Sequence, residues 1–339
     1  MIRLNSRQKK YKKIFLDKLE RRIYVERNNT CPCGHPGDIL VHKKDRYGIP
    51  LTTVMCKYCG LLRSDPYYNQ KTLKNFYNLE YRGIYEEEGR PNQNFFNNQK
   101  KRGKFIYGYL KRNYFGTEIS NKKIVEVGCS AGGTLAYFKD MGNNVFGCDY
   151  DSSYINYGQK KGLNLVTGGA ERLNAVRNKV DIVILCHVLE HFSNLEGELK
   201  KIRLLVKKGG LIFIEVPGIY LIHRSYGGRL DDFLQNAHAY SFTLKSLSYV
   251  MGKYRFKLIH GDESVFAIFE KAKGIIYCKR ESYKSILSYL RHTGKLRLLY
   301  FVEKKVYSAI EIFLSKIGLL DFTVNAVSKA KRTFSLPHA

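Results

Sequence analysis

Two groups of residues in this 339-residue chain have the types and spacing to do chemistry. The first is Cys31-Pro-Cys33-Gly and Cys56-Lys-Tyr-Cys59-Gly, two thiol pairs about two dozen residues apart, which can converge on one tetrahedral Zn²⁺. The first pair is one residue tighter than a Cys-x-x-Cys knuckle, so His35 is an alternative ligand, and reduced thiols without metal are the competing reading. Four protein ligands leave no open coordination position, so such a zinc holds a fold together and performs no reaction. Cys129, Cys148, Cys186 and Cys278 are scattered and suggest no site. The second group begins at Ile124-Val-Glu126-Val-Gly128-Cys129-Ser130-Ala-Gly132-Gly133, an apolar run that passes through a small-residue loop into a helix starting near Gly132. Glycines there let a ligand approach the backbone.

About twenty residues later, Val145-Phe-Gly-Cys-Asp149-Tyr150 places a carboxylate where it could accept from ribose hydroxyls, with Tyr150 beside it for an adenine face. The glycines read Glu-x-Gly-x-x-x-Gly rather than Gly-x-Gly-x-x-Gly, which argues against a pyrophosphate cradle. Further along stand Gly168-Gly-Ala170-Glu171, then Asp181-Ile-Val-Ile-Leu-Cys-His187-Val-Leu189-Glu190-His191, and then Leu204-Leu-Val-Lys-Lys-Gly209-Gly210-Leu-Ile-Phe-Ile-Glu-Val-Pro217. In this order the motifs resemble the class I S-adenosylmethionine-dependent methyltransferases over residues 123 to about 217, with Ser130 in place of a common second glycine. The resemblance implies a methionine-binding loop formed by Glu126, Gly128, Cys129, Ser130 and Gly132, and ribose and adenine contacts from Asp149, Tyr150, Ala170 and Glu171. It implies a cofactor-lining segment with His187 and Leu189.

His187-x-x-Glu190-His191 also spells the inverted zinc-protease signature, but that chemistry needs both histidines on one helix, and here they follow a strong strand pattern. Methyl transfer to a hydroxyl needs alignment and a base. His191, and His238 in Asn236-Ala-His-Ala-Tyr240-Ser241, are the candidates, with Tyr240 to orient the acceptor. Cys56 to Leu62, Phe76-Tyr77 and Tyr81-Arg82 resemble more loosely the zinc-knuckle methyltransferases of bacterial polysaccharide and deoxysugar pathways, which implies a sugar or sugar-nucleotide acceptor.

The elements that must position these residues follow from periodicity. Tyr11, Ile14, Phe15, Leu19 and Ile23 predict a basic amphipathic helix in residues 1–28, lying on the body or on a partner. A zinc knuckle spans 29–65 and a helical bridge 66–120. Apolar runs alternating with helical patterns over 121–272 predict an α/β, Rossmann-like sheet, completed by an antiparallel edge near Phe256–His260 and Ser264–Phe269. A basic helical appendage occupies 273–339. Fifty-eight Lys and Arg against 30 Asp and Glu give a net charge of +28. That field suits a phosphorylated substrate, an anionic membrane surface touched peripherally, or RNA, the last keeping an RNA methyltransferase as the alternative enzyme. A scaffold that kept the cofactor fold without transfer chemistry is the non-enzymatic reading. Neither an export signal nor an apolar run of spanning length is visible, and a cytoplasmic protein is expected.

Overall fold

The structure is a computed structural model describing residues 4–85 and 90–316. Residues 1–3 of the expected N-terminal helix and the expected appendage beyond residue 316 lie outside the described residues. Helix α1 (Ser6–Glu20) starts at Asn5, whose side chain accepts from the Gln8 N–H while the Gln8 side chain accepts from the Asn5 N–H, a reciprocal cap. Its Phe15 is wholly buried against Tyr24, Tyr68 and Phe76, so the basic helix lies on the body of the protein.

Strand β1 (Glu26–Arg27) precedes an antiparallel run of β2 (Asp38–Lys44), β3 (Pro50–Cys56) and β4 (Leu62–Ser64), and β5 (Tyr67–Tyr68) returns to pair with β1. Helices α2 (Gln70–Leu79), α3 (Tyr81–Tyr85) and α4 (Gln93–Leu110) follow, so the expected bridge is helical apart from β5. Asn69 and Asn92 cap α2 and α4 by accepting from the backbone N–H three residues on.

The main sheet is built from β6 (Lys123–Val127), α5 (Gly133–Asp140), β7 (Asn144–Asp149), α6 (Ser152–Lys160), β8 (Asn164–Thr167), β9 (Val180–Cys186), α7 (Leu195–Leu205) and β10 (Val206–Glu215). The short helices α8 (Ile222–Ser225) and α9 (Leu230–Phe233) and strand β11 (Tyr240–Ser241) interrupt it before α10 (Leu244–Lys253), β12 (Phe256–Gly261) and β13 (Phe266–Lys271). The seven strands run in the order β12-β13-β10-β9-β6-β7-β8. Those from β8 to β10 are parallel to one another, and β12 and β13 form the antiparallel edge expected from the sequence.

Ile182, Val183, Ile184 and Leu185 of β9 are fully buried, as are Ile212, Phe213 and Ile214 of β10, because helices cover both faces. Each such side chain contributes about 1.5–3 kcal/mol by leaving water. The chain leaves β6 towards β7 and later crosses to β9 on the other side, so β6 and β9 flank a topological switch point. Ligands bind such sheets outside the carboxyl ends of the strands at that point.

The structure changes the expected domain picture in one respect. Strand β11, from the interruption after β10, pairs with β4 through Tyr240↔Arg63 and Ser241↔Leu62. The cysteine-bearing sheet therefore has the order β11-β4-β3-β2 and takes one strand from the chain that follows the parallel sheet. At the far end, α11 (Tyr283–Lys316) packs Ile286 on the body and leaves Leu298, Leu299 and Val302 exposed.

Candidate functional site

The loop after β6 turns on three left-handed residues, Gly128 (φ 74°), Ser130 (φ 50°) and Gly132 (φ 75°). A Cβ on Gly128 would lie 2.3 Å from Val188 Cγ2, and one on Gly133 would lie 2.5 Å from the Phe96 carbonyl oxygen. The glycines thus let the loop fit between α4 and the segment after β9. Asp149, at the end of β7, accepts the Ser130 N–H at 2.8 Å through Oδ2 and the Asp151 N–H at 2.9 Å through Oδ1. Gln99 of α4 accepts the Gly133 N–H at 3.2 Å.

Two polar atoms here are buried without a hydrogen-bond partner: Glu126 Oε2 and Ser130 Oγ. Burial pushes the Glu126 carboxyl well above the usual carboxylate range; a hydrogen bond with Thr134 lowers it and the charge of Asp149 raises it. An acceptor oxygen enclosed in this way matches a cationic amino group, the chemistry of an amino-acid moiety seated on the loop. The residues therefore fit the methionine part of the expected cofactor.

Beyond Asp149 stand half-exposed Tyr150, buried Ala170 and exposed Glu171, with Glu171 Oε1 accepting the Gly169 N–H at 3.1 Å. Cys129 and Leu189 are wholly buried in the core, so the structure leaves only the Cys129 backbone, and no exposed part of the Leu189 side chain, to meet a ligand. His187 takes a left-handed conformation (φ 53°), with its ring 47% exposed. Its Nε2 lies 3.0 Å from Arg102 Nη2 and 3.2 Å from Glu215 Oε1, and Arg102 also pairs directly with Glu215. The protease reading fails on geometry, since His187 precedes a 3₁₀ turn (Leu189–His191) that His191 ends, and the two share no α-helix.

His191 and His238, distant in sequence, are brought together with ring centroids 4.7 Å apart. The Ala239 N–H donates to the Glu190 carbonyl at 2.7 Å, clasping the two segments. His191 Nδ1 donates to the Ala237 carbonyl at 2.9 Å, which leaves Nε2 with its lone pair, and Tyr77 Oη stands 2.8 Å from the same Nδ1. Burial pushes both imidazoles below the usual histidine range, His238 the more strongly, so both are neutral near pH 7. Glu190, 1% exposed, faces them. Burial opposes its ionisation, but in acid His187, and His191 and His238 once protonated, outweigh it and hold the carboxyl down to about 2.

Tyr240 is not part of this group. It is buried in β11, and its hydroxyl donates to Asn29 Oδ1 at 2.9 Å, so the structure makes it a strut of the cysteine module, where the sequence suggested an acceptor contact. The sequence reading missed Arg46, in the turn between β2 and β3. Its Nη2 donates to Gln235 Oε1 at 2.6 Å, its guanidinium lies over Tyr47 and Tyr85, and its Nε is a buried donor without a partner. Gln99 and Arg102 were missed too, because α4 precedes the motifs and carries no spacing that marks a ligand contact.

The four expected thiols converge. Cys31 Sγ is 3.4 Å from Cys59 Sγ, Cys33 Sγ is 3.6 Å from Cys56 Sγ, and all four lie within 4.8 Å of one another. Thiolates about 2.3 Å from a tetrahedral Zn²⁺ stand about 3.8 Å apart, so the donor set fits that ion. Burial raises the Cys56 thiol, but the N–H groups of Cys59 and Tyr58 outweigh it and the net shift is downward. His35 is not needed as a ligand. Its ring stacks on Tyr58 at 3.4 Å, and its N–H donates to Cys33 Sγ at 3.4 Å.

Residues 99–260, just under half of the chain, match the family model described as a methyltransferase domain. No curated protein matches the chain. Among solved structures, a S-adenosylmethionine-dependent methyltransferase from Archaeoglobus fulgidus is similar at 20% identity, covering 60% of this chain and 93% of its own, with a TM-score of 0.38. Magnesium protoporphyrin IX methyltransferase from Synechocystis, solved with bound S-adenosylhomocysteine, is similar at 16% identity over 60% of this chain and 98% of its own, with a TM-score of 0.41. The 1,6-didemethyltoxoflavin-N1-methyltransferase of Burkholderia thailandensis is similar at 14% identity over 60% and 86%, with a TM-score of 0.40.

Proposed function

We propose that this chain is an S-adenosylmethionine-dependent methyltransferase whose acceptor is a sugar carrying phosphate, either nucleotide-linked or part of a growing glycan. The match of residues 99–260 to a methyltransferase domain supports the reaction class. The observation that carries the cofactor assignment is the loop from Glu126 to Gly133, with its buried unpartnered carboxylate and hydroxyl oxygens and with Asp149 bracing its Ser130 N–H. When bound there, the cofactor supplies an electrophilic methyl group on a sulfonium. Glu126 receives the amino group, Asp149 the ribose hydroxyls, and Tyr150, Ala170 and Glu171 line the adenine side.

The acceptor side of this reading is formed by Glu190, His191, His238 and Arg46. Neutral imidazoles at His191 and His238 can take the proton of an acceptor hydroxyl, since burial favours their uncharged form until a partner arrives. Arg46 supports an anionic acceptor, because a buried guanidinium N–H without a partner suits a phosphate oxygen. Zn²⁺ in the four-cysteine site would hold the β2–β4 module rigid, and with it Arg46.

The exposed Leu298, Leu299 and Val302 of α11, which follow Arg291, Lys295 and Arg297, suit peripheral contact with an anionic membrane, although no helix among the described residues is long and apolar enough to cross one. Incubating the protein with methyl-labelled cofactor and pools of nucleotide sugars should yield labelled sugar. Label appearing in RNA alone would replace this acceptor with a nucleic acid.

A further inference from the structure

Neither oxygen of Glu190 accepts a hydrogen bond, although the residue is only 1% exposed. His187 Nδ1 comes within 3.4 Å of Oε1 and His191 Nε2 within 4.0 Å, an ion-pair approach in both cases. Leaving a buried carboxylate without hydrogen bonds costs several kcal/mol unless something charged meets it. Around it stand His191, 16% exposed in its side chain, and His238, also partly exposed, so the cluster opens to solvent on the histidine side.

We propose that Glu190, His191 and His238 form a second metal site, separate from the cysteines, for a divalent first-row transition ion. One ligand atom from each of the three lies within 4.8 Å of the other two. Donors about 2.1 Å from such an ion stand about 3.0–3.4 Å apart, so rotating the side chains by roughly one to two ångströms closes the cluster on it. The orientation of His191 supports this. Nδ1–H is held by the Ala237 carbonyl, with Tyr77 beside it, and Nε2 is turned towards Glu190. An imidazole whose other N–H is fixed by a backbone carbonyl is the usual arrangement of a metal-bound histidine. No side-chain hydrogen bond among the described residues ties down His238, so its ring is free to complete the set.

The neighbouring trio Cys186, His187 and Glu215 shows the contrast. There Glu215 is already paired with Arg102 and accepts from the Cys186 thiol at 3.2 Å, so no charge is left uncompensated.

Two imidazoles and one carboxylate leave coordination positions open, as in sites that bind substrate oxygen. An ion here would occupy the imidazole lone pairs that otherwise serve as bases, and would instead favour loss of the acceptor's proton by holding its hydroxyl, with a second hydroxyl or a phosphate oxygen, next to Arg46. This placement rests on the proposed methyltransferase reading, whereas the ion itself does not.

The test uses the full chain with its cysteine site loaded with Zn²⁺, and Mn²⁺ as the probe, because thiolates select poorly for that ion. Calorimetry and paramagnetic resonance of Mn²⁺ should report one site per chain. Binding should fall at least tenfold, on the order expected for loss of a ligand, in both His238→Ala and Glu190→Gln, while each variant still binds S-adenosylmethionine. His238→Ala removes a partly exposed ring and leaves the core intact, so it tests the site even where Glu190→Gln disturbs folding. No Mn²⁺ binding by the wild-type chain, or binding by the two variants as tight as that of the wild-type chain, overturns the proposal. Failure of S-adenosylmethionine to bind the wild-type chain would overturn the enzymatic reading instead.

Discussion

Replacing Glu126 with Gln should move stability and cofactor affinity in opposite directions. The carboxyl lies at the end of β6, 2% exposed, with Oε2 unpartnered, and burial raises it well above its unfolded value of 4.5. A carboxyl raised in the folded state binds more protons folded than unfolded, so its contribution to stability is fully present below about pH 4.5 and is lost as pH climbs through the folded value. Gln is nearly isosteric and carries no charge, so the ligand-free variant should melt higher than wild type at pH 8, and the gap should shrink as pH falls towards 4.5.

The same change removes the charged acceptor for the cofactor's amino group. A hydrogen bond to a charged partner is worth about 1.5–3 kcal/mol, so the dissociation constant for S-adenosylmethionine should rise about 10- to 150-fold. Calorimetry gives the affinity, and thermal melts of the free protein across pH give the stability. A variant that melts lower than wild type at pH 8 and binds the cofactor as tightly would refute the reasoning, because Glu126 would then be a structural anchor.

Arg46→Ala should leave cofactor affinity unchanged and raise KM for a phosphate-bearing acceptor about 10- to 150-fold, the loss of one charge-assisted hydrogen bond; an unchanged KM would remove Arg46 from the acceptor site. Tyr240→Phe should lower stability by about 1 kcal/mol through the lost bond to Asn29 and leave kcat near wild type, whereas a collapse of kcat with normal stability would return Tyr240 to the chemistry.

The glycine-loop half of the candidate site was legible as structure because it is local. Glu126 to Gly133, Asp149 and the turn after β9 each sit at the carboxyl end of a parallel strand, and strand, loop and helix leave period, glycine and polar signals in a short stretch of sequence. The two cysteine pairs were legible for the same reason. What spacing could not show is contact between remote segments. Arg46 comes beside residues 234–236, nearly two hundred positions away, because the β2–β3 turn meets them through Arg46 N–H to the Leu234 carbonyl and Arg46 to Gln235. Tyr240 misled because its neighbour His238 packs its ring beside His191 while β11, just beyond, alternates into a sheet whose other strands lie in residues 38–64.

That shared sheet gives the cysteine site a consequence for catalysis beyond its own stability. Ser64 Oγ donates to the His238 carbonyl at 2.9 Å, the Ser64 N–H donates to the Ala239 carbonyl at 2.9 Å, and Tyr67 donates to the Ala237 carbonyl at 2.7 Å. Asp45 Oδ2 accepts the Asn236 N–H at 3.2 Å and the Tyr85 hydroxyl at 2.9 Å. The segment carrying His238 is therefore held largely by residues 45–68, with the Glu190 carbonyl and His191 clasping it from the other side, whereas the Glu126–Gly133 loop and Asp149 are held by the parallel sheet. Cys59→Ser, which removes one zinc ligand, should loosen the first set and spare the second. Hydrogen exchange at Ala239, whose N–H donates to the Glu190 carbonyl, should speed up by orders of magnitude, and methyl transfer should fall with it. S-adenosylmethionine affinity should stay within about threefold of wild type, since additivity holds for sites without shared partners. Equal protection at Ala239 in the variant, or a parallel loss of cofactor binding, would show that the two halves of the cleft are not separately supported.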